Sequence, residues 1–268
     1  MKKALTIAGS DSSGGAGIQA DLKTFSANGV FGMSVITAVT AQNTQGVLAV
    51  EDISTPVIQK QIEAIYEDIR VDAVKVGMVS RTETIEAISG QLQKYQAHPV
   101  VVDPVMVSKS GFHLLQPHAV KALIGKLLPI ATIVTPNIPE AEIIAGMSIK
   151  GLKDMEEAAN RIYGMGPQNV LVKGGHLRDQ ATDVLFDGAN YLHLTAERIP
   201  TKNTHGTGCT LSSAIAANLA KGRSIGAAVR EAKAYLTTAI QHALAIGKGV
   251  GPTHHFYDLY RKAGVLDE

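Results

Sequence analysis

Short apolar runs and amphipathic stretches alternate through most of the chain. Residues 5–8 make an apolar run of strand length, and Ile18, Leu22 and Phe25 then recur at helical spacing. Residues 30–39 supply a second strand. Ile58, Ile62, Ile65 and Ile69 stay close to a 3.6 period, which predicts a helix over 57–68. The beat continues with strand 73–78, helix 85–95, strand 100–106, helix 120–128 and strand 131–135. A helix opens after Pro136, another covers 156–164, and a strand covers 169–176. Val100, Val101 and Val102 are apolar in succession, the pattern of a strand buried on both faces and so of a parallel sheet. Residues 184–187 and 191–194 flank Gly188-Ala189-Asn190 as an antiparallel hairpin. A glycine loop then opens a helix that runs to Ala220, and a helical region over 224–245 precedes a late loop at 247–256. Strand and helix alternate from residue 4 to 220 with no linker and no internal repeat. The expectation is one α/β domain over 1–268, a mainly parallel sheet, and ligand sites at the strand ends.

Composition narrows the class. Hydrophobic residues are 45% and charged residues 18%, which argues against disorder. A net charge of +1 gives no reason to expect nucleic acid or an anionic membrane as a partner. The absence of tryptophan weakens any reading built on base stacking. The first nine residues faintly resemble a signal peptide, but the apolar part is short and Asp11 soon interrupts it, so they read as the first strand. No run of 18 apolar residues exists to span a membrane. The single cysteine excludes an internal disulfide framework and fits a reducing, cytoplasmic setting.

The chemistry concentrates at the ends of the apolar runs. In Asn203-Thr204-His205-Gly206-Thr207-Gly208-Cys209, two glycines precede a helix start. Free amides and the positive end of the helix dipole make an anion site there. The Cys209 thiol is expected to ionise more readily in that position. The plainer alternative is a helix start with a small buried cysteine. Gly14-Gly15-Ala16-Gly17 follows the first strand, but its spacing is not that of a dinucleotide fingerprint. Asp21 is expected on the helix face away from the core, where its plain reading is a solvated charge. Gln42 lies just past the second strand and can read a heterocycle edge, or simply belong to a polar turn. Asp103 and Glu140 fall at equivalent ends of successive β/α units, where hard oxygen ligands can hold Mg²⁺. Glu140 also suits a helix-dipole partner. Lys173, at the end of a strand, can neutralise phosphates as a point charge. The nine histidines read as surface or structural residues, with His205 beside the anion loop and able to orient it.

Taken together, these stretches resemble a known family. Residues 4–21, Thr40-Ala41-Gln42-Asn43-Thr44, Asp103-Pro104-Val105-Met106, Thr135-Pro136-Asn137, Val172-Lys173-Gly174-Gly175-His176 and Thr204-His205-Gly206-Thr207-Gly208-Cys209-Thr210 cover nearly the whole chain in order. They are similar to the ribokinase-like superfamily, and within it to the hydroxymethylpyrimidine/phosphomethylpyrimidine kinases of thiamin biosynthesis. The resemblance implies a three-layer sandwich whose central sheet has about eight strands, with helices on both faces, and a homodimer. It implies ATP-dependent phosphorylation of 4-amino-5-hydroxymethyl-2-methylpyrimidine and then of its monophosphate, with Mg²⁺. Gly9, Asp21, Gln42 and Met78 resemble pyrimidine-pocket residues, and Asp103 and Glu140 metal or metal-water ligands. Lys173, Asn137 and Thr204 resemble nucleotide-binding residues, Gly206 and Gly208 an anion hole, and Cys209 the catalytic position. Most of the superfamily has aspartate where Cys209 stands, so the thiol either abstracts the proton or orients the hydroxyl. The segment Ser108-Lys109-Ser110-Gly111-Phe112 reads as a flap. A pyridoxine or pyridoxal kinase is the second reading, disfavoured by Gln42, whose place is expected to be more apolar in that branch. A catalytically silent pyrimidine or nucleotide sensor is the third, and would need a damaged site.

Overall fold

The computed structural model describes residues 1–107, 111–112, 114–175 and 181–266. The chain begins with β1 (Lys3–Asp11), α1 (Gly17–Ala27), β2 (Phe31–Asn43), β3 (Gly46–Asp52) and α2 (Thr55–Tyr66). Next come β4 (Ala73–Val76), α3 (Thr82–Lys94) and β5 (Val100–Val102). A mixed helical segment follows, containing α4 (Val120–Ala122), before β6 (Ile133–Val134), α5 (Ile138–Ala145) and α6 (Leu152–Tyr163). The last part holds β7 (Val170–Val172), β8 (Ala181–Phe186), β9 (Tyr191–Ala196), α7 (Thr207–Ala220), α8 (Ile225–Gln241) and α9 (Tyr257–Lys262).

The strands form one sheet in the order β3-β2-β1-β4-β5-β6-β7-β8-β9. The six from β2 to β7 pair in parallel, and antiparallel strands close both edges. Valine alternation explains the layering. Val100 and Val102 pack with Ile85, Ile88 and Leu123 on one face, while Val101 packs with Ile133, Leu211 and Ile215 on the other. Helices therefore cover both faces, the ribokinase-like α/β arrangement. The chain order reverses direction at β1, which pairs with β2 on one side and β4 on the other. That reversal opens a crevice at the carboxyl ends of the strands.

The structure corrects several expected elements. Among the described residues the sheet has nine strands, one more than the eight or so expected. The amide-rich segment after residue 39 is not only a turn: β2 continues to Asn43 and folds back as β3. Asn43 Oδ1 accepts the amides of Gln45 and Gly46, at 2.8 and 3.2 Å, and so closes the hairpin locally. The helix expected over 120–128 splits into short 3₁₀, α and π turns between Pro117 and Ile130. Gly125 and Pro129 interrupt the ladder there. The helix α9 was not expected. Of the flap segment, Ser108, Lys109 and Ser110 lie outside the described residues, as does His176 at the end of the expected strand 169–176.

Candidate active site

Gly206 makes the centre of the site. It caps α7 with φ +78°, in the left-handed region that favours glycine. Its Cα also packs directly on the carbonyl oxygen of Gly15, so a Cβ there would collide with backbone. The Thr210 amide and hydroxyl both reach the Gly206 carbonyl, at 2.8 Å each. Behind it, Thr210 Oγ1 lies 3.1 Å from His255 Nε2. Thr207, Gly208 and Cys209 form the first turn, whose amide hydrogens have no partner within the helix. They face a cavity of about 710 Å³ that runs along the carboxyl ends of the strands.

One wall of this cavity is charged. Lys173 Nζ meets Asp103 Oδ1 at 2.9 Å, and Ser212 Oγ donates to Asp103 Oδ2 at 3.2 Å. Burial alone would raise the Asp103 carboxyl, but the ammonium groups of Lys173 and Lys75 hold it below the usual range. Against its own burial, the Asp103 and Glu140 carboxylates hold Lys173 above its ordinary value. Glu140 is different. Its carboxylate accepts the Asn137 amide at 2.8 Å while Asn137 Oδ1 accepts the Glu140 amide at 2.9 Å, a capping box at the start of α5. Burial pushes its carboxyl up to about 7. Lys173 opposes this, and the Asp103 charge adds to it. Both the structural reading of Glu140 and its exposure to the cavity therefore hold.

Gly9, Met78 and Gln42 also line the cavity. Gln42 reaches Thr40 Oγ1 at 3.2 Å and lies 3.4 Å from His205 Nε2. His205 in turn sits 2.7 Å from Asp11 Oδ2. Asp11 also accepts the amides of Ser13 at 2.8 Å and Ala16 at 2.8 Å. Burial would raise its carboxyl, but His205, the Ser13 hydroxyl and the Ser13 amide bring it down to about 2. His205 thus braces the loop that carries Gly15, the residue Gly206 packs on. Thr204 and Asn137 also line the cavity.

Two expectations fail. Asp21 is neither solvated nor among the residues that line the cavity: its side chain is 0% exposed. It accepts the hydroxyls of Thr6 and Ser213, both at 2.6 Å, and the Lys75 ammonium at 2.9 and 3.0 Å. The face of α1 that carries Asp21 packs against α7, so there is no outer face at that position. Nor is the Cys209 thiol made more acidic by the helix start. Burial pushes it up to about 11; the Lys75 charge lowers it, and Asp21 and Asp103 raise it.

Sequence reasoning missed Lys75 and Asp11. Lys75 also lines the cavity and is wholly buried. Its signal was available, because a lysine inside Ala73-Val74-Lys75-Val76 must be paired if the strand is buried on both faces. Asp11 stands just before Ser12-Ser13-Gly14, the usual start of a side-chain-closed turn.

A parallel sheet with a glycine-capped helix start above lysine and carboxylate groups defines a phosphoryl-transfer site of the ribokinase-like class. The comparisons agree with that class and narrow it. A family model described as Phosphomethylpyrimidine kinase matches residues 11–254. The hydroxymethylpyrimidine/phosphomethylpyrimidine kinase of Rhizobium meliloti is 58% identical, over 95% of this chain and 97% of its own length. Among solved structures, the phosphomethylpyrimidine kinase of Clostridium difficile is 54% identical with a TM-score of 0.81, covering 90% of this chain and 100% of that one. The ADP complex of Bacillus subtilis pyridoxal kinase is 44% identical with a TM-score of 0.90, covering 96% and 98%. The chain belongs to the phosphomethylpyrimidine kinase family, a family of phosphotransferases.

Proposed function

We propose that this chain transfers the γ-phosphoryl group of ATP to the hydroxymethyl group of 4-amino-5-hydroxymethyl-2-methylpyrimidine, and then phosphorylates that monophosphate to the diphosphate, in thiamin biosynthesis. The observation that carries the reading is one cavity joining the Gln42 end to the amides of the Gly206–Gly208 turn, with Cys209 opening on it. The names of the relatives support the choice of substrate.

The pyrimidine lies on Gly9 and Met78, and the Gln42 amide offers a donor and an acceptor to its aminopyrimidine edge. Lys173, Asn137 and Thr204 hold the ATP phosphates. The first-turn amides of α7 receive the phosphoryl group in transit, where preorganised dipoles act without rearrangement. Cys209 takes the alcohol proton as the oxygen attacks phosphorus. The chain works as a single domain, as a homodimer, and in the cytoplasm. Among the described residues no helix is long and apolar enough to cross a membrane.

Mg²⁺ fits the carboxylate pair. Asp103 and Glu140 bring two buried carboxyl groups to one lysine, and burial together with the Asp103 charge holds Glu140 up at about 7 despite that lysine. A divalent cation supplies further positive charge. Among the described residues no cluster of three or more ligating side chains exists, so Asp103 and Glu140 would share the ion with phosphate oxygens and water.

Pyridoxal is the second reading, favoured by the TM-score of 0.90 to a pyridoxal kinase. Turnover with each alcohol decides between them. Hydroxymethylpyrimidine is expected to be phosphorylated far faster. Much faster phosphorylation of pyridoxal would reverse the assignment.

A further inference from the structure

Lys75 is the buried charge that the reading above leaves without a task. Its side chain is 0% exposed within the parallel sheet, yet it forms part of the cavity wall. Two of its bonds go to the two oxygens of Asp21, whose remaining capacity is taken by Thr6 and Ser213. Ser213 lies on α7, one turn beyond Cys209, so the network is tied to the catalytic helix. The backbone leaves room for the ammonium head at Gly77, where a Cβ would stand 2.5 Å from Lys75 Nζ and 3.1 Å from Ala8 Cβ. A buried ion pair is a poor source of stability compared with apolar packing. Its placement here, at the floor of a phosphoryl-transfer site, calls for an electrostatic explanation.

We propose that Lys75, anchored by Asp21, is a positioning residue: the fixed counter-charge lining the same cavity as Cys209 that sustains negative charge on the sulfur. This rests on the reading of Cys209 as proton acceptor. In that step the alcohol O–H bond breaks and its proton forms an S–H bond with the thiolate. The oxygen lone pair forms the new O–P bond, and the breaking P–O pair leaves on ADP. The starting thiolate needs a cation that does not itself give up a proton. Burial would weaken the Lys75 charge, but Asp21 overrides it, and the ammonium is held above its ordinary value. The charged groups facing Cys209 are Lys75 from β4, Asp21 from α1, Asp103 beyond β5 and Lys173 beyond β7. Both lysines are paired with a carboxylate at 2.9 Å, Lys173 with Asp103 and Lys75 with Asp21, but only the Lys75 pair is shown tied to the helix of Cys209 through Ser213 of α7. The proposal also explains Asp21: it serves the thiol through Lys75 instead of meeting the pyrimidine.

Cys209 is the sole cysteine, so alkylation reads it alone. The test measures the rate of iodoacetamide modification by mass spectrometry at pH 9, on the full chain without substrates. Lys75→Met is expected to slow modification about tenfold or more, because it removes the cation that favours thiolate. Asp21→Asn keeps the shape of the anchor but removes a negative charge, and is expected to speed it. A purely structural role would loosen the site and move both variants the same way. Rates that shift in one direction, or that do not shift, overturn the proposal. Should Lys75→Met fail to fold, Asp21→Asn is read with its urea midpoint: a faster rate at unchanged midpoint supports the proposal, and an unchanged or slower rate, or a faster one with a lowered midpoint, overturns it. Alkylation needs no substrate, so a wrong pyrimidine assignment leaves this result standing. Conversely, intact pyrimidine turnover with no opposite response would sink only the role of Lys75.

Discussion

Cys209 sits under opposing demands. Burial pushes the thiol up to about 11, while the charge of Lys75 works toward thiolate. A weak population of thiolate suffices only if positioning and electrostatics carry most of the transfer, as phosphoryl chemistry allows. Trimming the thiol should therefore cost activity but not structure. Cys209→Ala is expected to lower turnover roughly 10²–10⁴-fold, with an unfolding free energy changed by less than about 1 kcal/mol. Wild-type rates in that variant would remove the thiol from the chemistry. Lys173 makes a different prediction, because it serves the nucleotide end. Lys173→Ala should raise the KM for ATP more than the KM for the pyrimidine, and steady-state kinetics with each substrate varied in turn would check this. Equal changes would place Lys173 elsewhere.

At the scale of elements, the site depends on how two helices begin. For α5 the start is a local capping box, whose two residues, Asn137 and Glu140, also line the cavity. Asn137→Ala should lower stability by about 1 kcal/mol, read as a shift in urea midpoint. For α7 the start is tied to tertiary structure, since Gly206 rests on Gly15 and Thr210 rests on His255. Burial brings the His255 imidazole down to about 4 from an ordinary 6.5, with Lys23 and His254 adding to the effect. A base lowered in the native state is protonated first in the unfolded chain. Its contribution to stability is complete above about 6.5, falls as pH drops, and is gone below about 4. Denaturant midpoints measured between pH 7 and pH 4 should fall more steeply for the wild type than for His255→Gln. Parallel curves would show that the neutral imidazole is not held by the fold.

At the scale of the whole molecule, the sequence announced the layers better than the side-chain partnerships. Three successive valines declared a parallel strand buried on both sides, and the structure places Val101 and its neighbours on opposite faces. Strand ends carrying Asp103, Lys173 and the Gly206 turn converge because parallel strands share one carboxyl edge. Asp21 was misread for a reason of the same kind. Helical spacing shows which face meets the sheet, but not that α7 covers a second face of α1. Lys75 drew no expectation because the carboxylate that pairs with it, Asp21, lies 54 residues away in the sequence. The β3 hairpin was hidden because polar amides at a strand end look the same whether the chain turns or pairs again.

The measurement that bears most directly on the central claim is a structure with the hydroxymethylpyrimidine and a non-hydrolysable ATP analogue bound together. The ring is expected beside Gln42, its hydroxymethyl oxygen within hydrogen-bond reach of Cys209 Sγ, and the γ-phosphate on the amides of Thr207, Gly208 and Cys209. A hydroxymethyl group turned away from the sulfur, or a γ-phosphate seated away from the start of α7, would contradict the account.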